Sequence, residues 1–226
     1  MLPEGAPLEV LGSVLALEDA TQTEIEHRIA IAWRKFWSLK RLLLNHKVSV
    51  KRRLKLFDST VGSCALWCCR RWTPRLDDLR RLRGAYRAMP RRICGLRRGP
   101  TECYLDWIRR TTRRACRTAS ETGIRGWIHN LAASKWAWAG HVARRSARTW
   151  LWKMTFWRDS EWTRMSAECG GWRPLRPERR RWMKWEFAIQ QYAKESGLGN
   201  WARAAAAKDT WESHRDGFAA FACRSL

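Results

Sequence analysis

The sequence predicts an all-α protein, a thumb-like helical bundle followed by a tryptophan- and arginine-rich helical tail. Three observations carry that expectation. Apolar residues recur at spacings of three and four through most of the chain, which is the period of one helix face. Thr-Pro, Asn and Gly stand where helices start and stop. A strand-like run occurs only near residues 8–17, LEVLGSVLAL.

In TQTEIEHRIAIAWRKFWSLKRLLL, Thr21 and Glu24 have the spacing of a capping box, in which side chains satisfy the free amides of a helix start. Ile25, Ile29, Ala32, Phe36, Leu39 and Leu43 then form one apolar stripe, so a first helix is expected over 21–45. After Asn45-His46-Lys47, Val50, Leu54, Phe57, Val61, Cys64 and Cys68 repeat the rhythm over 49–69. Two such helices on a short loop should pack antiparallel, with Ile29, Phe36, Leu54 and Val61 buried together. Thr73-Pro74 places Thr at an N-cap and Pro at the first helical position of a third helix. Asp77 and Asp78 suit its positive end, Leu76, Leu79, Leu82 and Met89 supply its buried side, and Pro90 should kink or divide it. Gly95 through Pro100 closes that segment. A fourth helix, opened by Thr101-Glu102, turns Tyr104, Ile108, Thr111 and Ala115 inward and Arg109, Arg110, Arg113 and Arg114 outward. A fifth begins at Gly123, with Ile124, Ile128, Leu131 and Trp138 in register. Residues 146–176 read as loop with short helix, and 177–196 as helix ended by Gly197. Asn200 caps a last helix that frays into the C-terminus. The elements group as a lead-in at 1–20, a bundle at 21–120 and a basic, Trp-rich helical region at 121–226.

Charge narrows the function classes. The chain carries 35 Arg and 10 Lys against 21 acids, a formal net charge of +24 over 226 residues. Guanidinium binds phosphate bidentately and stacks on bases, so the skew towards arginine points to nucleic acid. Residues 1–27 hold six acids and no Lys or Arg, whereas 70–118 hold sixteen Arg and four acids, a net of +12. Arginine pairs at 70-71, 80-81, 91-92, 97-98, 109-110, 113-114 and 144-145, and the triplet 179–181, interleave with Trp72, Trp107, Trp127 and Trp182. Phosphate neutralisation and aromatic stacking are the two halves of single-strand binding. The plainer alternative for the same arginines is a solvated face. No run of 18 apolar residues occurs and the N-terminus lacks a secretory pattern, so an intracellular protein with no membrane partner is expected. Its eight cysteines should then stay reduced.

No metal, cofactor or catalytic residue is expected. Cys64, Cys68 and Cys69 crowd one helix without C-x2-C spacing. Asp77-Asp78 sits in a helix's first turn, unlike the aromatic-x-Asp-Asp turn that holds two metals in polymerases. In KWAWAGHVARR, residues 135–145, His141 has no Cys, Asp or Glu within a turn. It reads as a packed ring with one nitrogen on backbone, or as a phosphate contact.

Taken in order, LEVLGSVL, EIEHRIAIAWRKFWSLKRLL, RLKLFDSTVGSCALWCCRRWT, LRRLRGAYRAMPRRICGL and KWAWAGHVARR resemble one known region. It is the part that follows the catalytic palm in reverse transcriptases of non-LTR (LINE-type) retrotransposons, and the likeness covers residues 8–150. The pattern there runs from a YLG strand through helices to an LYGxExW segment and then W-x-GH. Leu11-Gly12-Ser13 match the first, with Val10 in place of Tyr. Leu66-Trp67-Cys68 and Trp72 match the second, with Cys68 in place of Gly and Arg70 in place of Glu. Gly140, His141 and Arg144 match the last. Residues 150–215, with WRDSEW and RRRWMKWE, resemble more loosely the tail of such elements in dinoflagellate-like genomes.

The resemblance implies a thumb-like module after a remnant of palm-edge strand, with endonuclease, fingers and palm upstream of Met1. It implies a grip on RNA or an RNA–DNA hybrid through the backbone, with weak sequence preference, and a nuclear setting. The candidate contacts are Arg80, Arg81, Arg91, Arg92, Arg97, Arg98, Arg109, Arg110, Arg113, Arg114, His141, Arg144 and Arg145. The missing palm would be a second partner. The chain alone should not be an enzyme, and His141 should have no chemistry. Two other readings stay open: a degenerate retroelement product without selected activity, and a basic helical scaffold that binds acidic protein.

Overall fold

The computed structural model describes residues 8–16, 19–146, 148–156 and 185–224. These are helical apart from one hairpin, as the fold class predicts. Contacts divide the chain into two units: Met1–Cys69 with Pro74–Leu131, and Arg70–Thr73 with Ala132–Ser225. No helix among the described residues is long and apolar enough to cross a membrane.

In the first unit, β1 (Leu8–Val10) pairs antiparallel with β2 (Ser13–Leu15) across Leu11-Gly12. Both turn residues lie at positive φ, 50° and 76°, as the twist-matched two-residue hairpin turn requires. Helix α1 (Ala20–Ser38) starts from Asp19 with no side-chain cap, so the expected Thr21/Glu24 box does not form. Glu24 turns to the hairpin instead. Its carboxylate accepts the Val14 amide at 2.6 Å and Arg28 Nε at 2.8 Å, while Arg28 also donates to the Gly12 carbonyl. Both side chains are buried, and a buried charge is tolerated only when paired and hydrogen-bonded.

The first stripe is real but interrupted. Ile25, Ala32, Phe36 and Leu43 are fully buried, Ile29 and Leu39 half-buried, and the helix breaks at Leu39 before α2 (Lys40–Leu43). Helix α3 (Val50–Phe57) packs on α2, and the following segment packs back on α1, so the two stretches are antiparallel as expected. That segment holds a π-helical stretch, Asp58–Gly62, before α4 (Ser63–Ala65). A π-turn inserts one residue into a helix. The buried positions therefore move on by one, to Ala65 and Cys69, in place of the expected Cys64 and Cys68. Cys68 is left exposed at φ 54°, where the retroelement pattern has glycine. A left-handed backbone costs a non-glycine residue roughly 1–2 kcal/mol. Cys68→Gly should thus raise stability by about 1 kcal/mol in urea unfolding, and a loss would show that the turn is unstrained.

Helix α5 (Leu76–Cys94) begins two residues later than Thr73-Pro74 suggested. Asp78 accepts the Arg75 amide at 2.9 Å, and this brace sets the start. Leu76 is exposed, whereas Leu82 and Met89 are buried. Pro90 neither divides nor ends the helix, and it is buried within the last turns. Gly95, at φ 61°, closes it with its N–H on the Arg91 and Arg92 carbonyls. Helix α6 (Tyr104–Glu121) returns antiparallel, tied by Arg91 Nη1 on Thr112 Oγ1 at 3.3 Å and Trp107 Nε1 on the Leu96 carbonyl at 3.0 Å. Thr111, Ala115 and Ala119 face inward, but Tyr104 at the helix start is exposed. The buried Arg53 donates to the Val48, Leu43 and Ile93 carbonyls, a role that periodicity gave no hint of. Trp127 fills the core against Phe57, with ring centroids 6.0 Å apart, and against Tyr86.

Helix α7 (Trp127–Ala143) supplies the second unit from Ala132 onward. It is joined there by α8 (Trp150–Phe156), α9 (Phe187–Glu195), α10 (Trp201–Ala204), α11 (Lys208–Ser213) and α12 (Arg215–Arg224). Asn200 caps α10 as expected, accepting the Ala202 and Arg203 amides. The single fraying helix expected after it is instead three short ones. Helix α9 ends before Gly197, which lies at φ 78°. The readings for 157–184 fall outside the described residues. Trp136, not the expected Trp138, is fully buried, because the unit's core forms on the face carrying Ala132, Trp136 and Ala139.

Candidate nucleic-acid interface

The α5–α6 hairpin concentrates the arginines, and its geometry sorts them. Several are engaged. Arg80 pairs with Asp77 at 3.0 Å, Arg81 with Glu26, and Arg109 with Asp106 at 3.4 Å. Arg92 lies over the Trp33 ring at 4.9 Å. Arg98 Nε donates to the Glu102 carbonyl at 2.7 Å. Arg110 forks onto the Glu102 carboxylate at 2.7 and 2.8 Å and also reaches the Arg97 carbonyl. That fork, more than any other contact, holds Glu102 down to about pKa 2. A depressed carboxylate stabilises above its ordinary range, and its brace on the interhelical loop fades only as pH falls towards that value.

Others are uncommitted. Arg87, Arg97, Arg113 and Arg114 make no side-chain ion pair or hydrogen bond among the described residues, and all four are exposed. Arg91 has only a neutral hydroxyl. Exposed ion pairs contribute little and dissolve readily, so even the paired arginines remain available to a phosphate. Arg87 stands alone in sequence, so arginine doublets do not point to it.

Among the described residues, the interleaved tryptophans do not form a stacking platform. Trp72 and Trp127 are about 1% exposed, and Trp107 is half-buried with its N–H on Leu96. Trp182 lies outside the described residues. Composition placed these rings beside the arginines, but burial takes the first two out of reach of any base.

Residues 135–145 work mainly within the second unit. Lys135 Nζ donates to the Trp72 carbonyl at 2.8 Å and lies over the Trp185 ring. Trp136 stacks on Trp211 at 3.7 Å and 4°, and each indole N–H donates to the other residue's carbonyl, at 2.7 and 3.0 Å. Gly140 is required by that ring, because a Cβ there would meet Trp211 Nε1 at 2.5 Å. Arg144 Nη1 donates to the Ala205 carbonyl at 2.9 Å. His141 stacks on Trp138 at 5.2 Å and accepts from Arg145 Nε at 3.2 Å. Burial, then Arg145, Arg144 and Arg70, push its pKa below the usual imidazole value. Trp, Gly and Arg at steps of four thus form one packed helix face. Arg145 keeps its exposed position at the edge.

Among the described residues, no three His, Cys, Asp or Glu side chains come together to hold a metal ion.

No protein-family profile matches the chain, and no solved structure matches it. Over 154 residues, 68% of its length, the chain is 29% identical to an uncharacterized transposon-derived protein of Caenorhabditis elegans. That stretch covers 52% of the nematode protein, so the chain spans about half the length of the curated relative it matches. The likeness points to a transposon-derived origin for this sequence.

Proposed function

We propose that the chain is a nucleic-acid-binding module from a non-LTR retroelement, the helical region that follows a reverse-transcriptase palm. It grips the phosphate backbone of RNA or an RNA–DNA hybrid and synthesises no DNA by itself. The observation that carries this reading is the row of exposed, uncommitted arginines on the α5–α6 hairpin, within a stretch of net charge +12. The transposon-derived relative supports the origin. With Trp72 and Trp127 in the core, binding rests on charge, and backbone contacts carry little sequence information. Asp77 and Asp78 are occupied with Arg80 and the start of α5, and they do not support metal-dependent phosphoryl transfer.

Neutralising several phosphates releases condensed counterions, so log affinity should fall linearly with log salt at a slope of about −0.7 per contact on single strands. Fluorescence anisotropy with labelled RNAs of different sequence should give similar affinities and a slope worth several contacts. Salt-independent binding, or equal binding to poly-glutamate, would favour an acidic-protein scaffold instead.

A further inference from the structure

We infer that the groove between α5 and α6 is the strand-entry site, where successive phosphates of one nucleic-acid strand sit along a row of arginines that both helices supply. This rests on the backbone-gripping reading above and narrows it to one place. The groove is open, with a volume of about 550 Å³, and its lining includes Gly84, Arg87, Arg91, Arg109 and Arg113 but no acid. Arg87 and Arg113 have no side-chain hydrogen bond or ion pair among the described residues, Arg91 has a hydroxyl, and Arg109 has one exposed, loosely held carboxylate. Charge of one sign is therefore left facing itself across a gap, a configuration that an anion relieves.

The spacing fits a polymer better than a single ion. Arg87 to Arg91 and Arg109 to Arg113 are each one helical turn, about 6 Å of rise. The helices are antiparallel, and the Arg91–Thr112 bond sets their register. Arg91 and Arg113 therefore stand nearly level, with Arg109 about a turn to one side of them and Arg87 about a turn to the other. Successive phosphates of an extended strand can occupy these three levels in turn, with guanidinium forks from both helices at the middle one.

Gly84 is an independent pointer. It lies mid-helix, one turn before Arg87, where glycine is the least favourable ordinary residue. A Cβ there would meet nothing within 4 Å, so packing in the chain does not require it. Its bare backbone on the groove wall instead lets a sugar–phosphate chain approach closely.

The test compares the full chain with Arg87→Gln/Arg113→Gln, Gly84→Leu and Gly84→Ala. Arg41→Gln/Arg52→Gln, two exposed arginines outside the hairpin, is the control for charge removed elsewhere. Circular dichroism would establish that each variant is folded, and the alanine variant keeps the test alive if leucine perturbs the helix. Single-stranded RNA binding at physiological salt should weaken at least about tenfold for the arginine pair, with a salt slope shallower by about two contacts. Gly84→Leu should weaken binding without changing the slope's charge count, Gly84→Ala should do so more mildly, and the control pair should change affinity less than about threefold. If the parent binds with a steep slope but the groove variants bind equally well, the groove is wrong while the backbone reading stands. If the parent does not bind, both fall. Displacement of RNA by tripolyphosphate at equal phosphate concentration would mark a compact anion pocket and overturn a strand site.

Discussion

Trp211→Ala should destabilise the second unit by roughly 3–5 kcal/mol, the range for deleting a buried aromatic ring. Trp211 is 1% exposed, stacked on Trp136 and cross-bonded to it through both indole N–H groups. Truncation removes the ring's packing and the indole hydrogen bond to the Trp136 carbonyl, and each term adds to the loss. Trp211→Phe separates the two, because it keeps most of the ring and deletes the N–H, at a cost of about 1–3 kcal/mol. Gly140→Ala approaches the same joint from the other side. The added methyl would sit 2.5 Å and 2.6 Å from ring atoms of Trp211, so the ring or the helix must move, at about 1–3 kcal/mol. Urea unfolding followed by tryptophan fluorescence measures all three. A Gly140→Ala variant as stable as the parent would show that the ring is not seated on that backbone.

Glu24→Leu should cost the first unit roughly 3–5 kcal/mol, because it strands the guanidinium of Arg28 in the interior. Glu24 is 0% and Arg28 5% exposed. The informative variant is the double one. Glu24→Leu with Arg28→Met replaces the buried pair by apolar groups of similar volume, and such exchanges are often neutral or stabilising. The double variant should therefore recover most of what the single one loses. The Val14 amide sets the remainder, since it gives up its acceptor in both. Equal losses in the single and double variants would mean that the pair matters through the hairpin contacts rather than through charge.

How much of this was legible depends on which physical signal each residue leaves. Phe36, Leu54, Val61 and Leu82 were readable because burial follows the helical period, and all four are fully buried. Cys64 and Cys68 were misplaced because one extra residue in a π-turn leaves no mark in composition and shifts everything after it. Asp78 suits the helix dipole and does sit at the start of α5, but its hydrogen bond to Arg75 moves the boundary. Glu24 looked like a cap because its spacing is that of a cap. Only the third dimension brings the Val14 amide within 2.6 Å of it. The arginines showed a similar divide. Adjacent pairs attract the eye, but neighbours on a helix point about 100° apart. A groove is lined by single residues a turn apart, such as Arg87 and Arg91, and a scan for doublets passes over Arg87. For the tryptophans, composition reported how many rings there are but not on which side of the surface they lie.

The Trp136–Trp211 joint has a further consequence during synthesis on the ribosome. Its halves are 75 positions apart. At translation rates of roughly 5–20 residues per second, the first indole emerges roughly 4–15 s before its mate has even been made. The first unit can settle in that interval, since its described residues all precede Ala132. The rest of α7 waits with an unpaired aromatic face, the kind of surface that invites self-association or a chaperone. A message cut short before codon 211 would leave that face permanently uncovered, so quality control should clear prematurely terminated copies faster than complete ones.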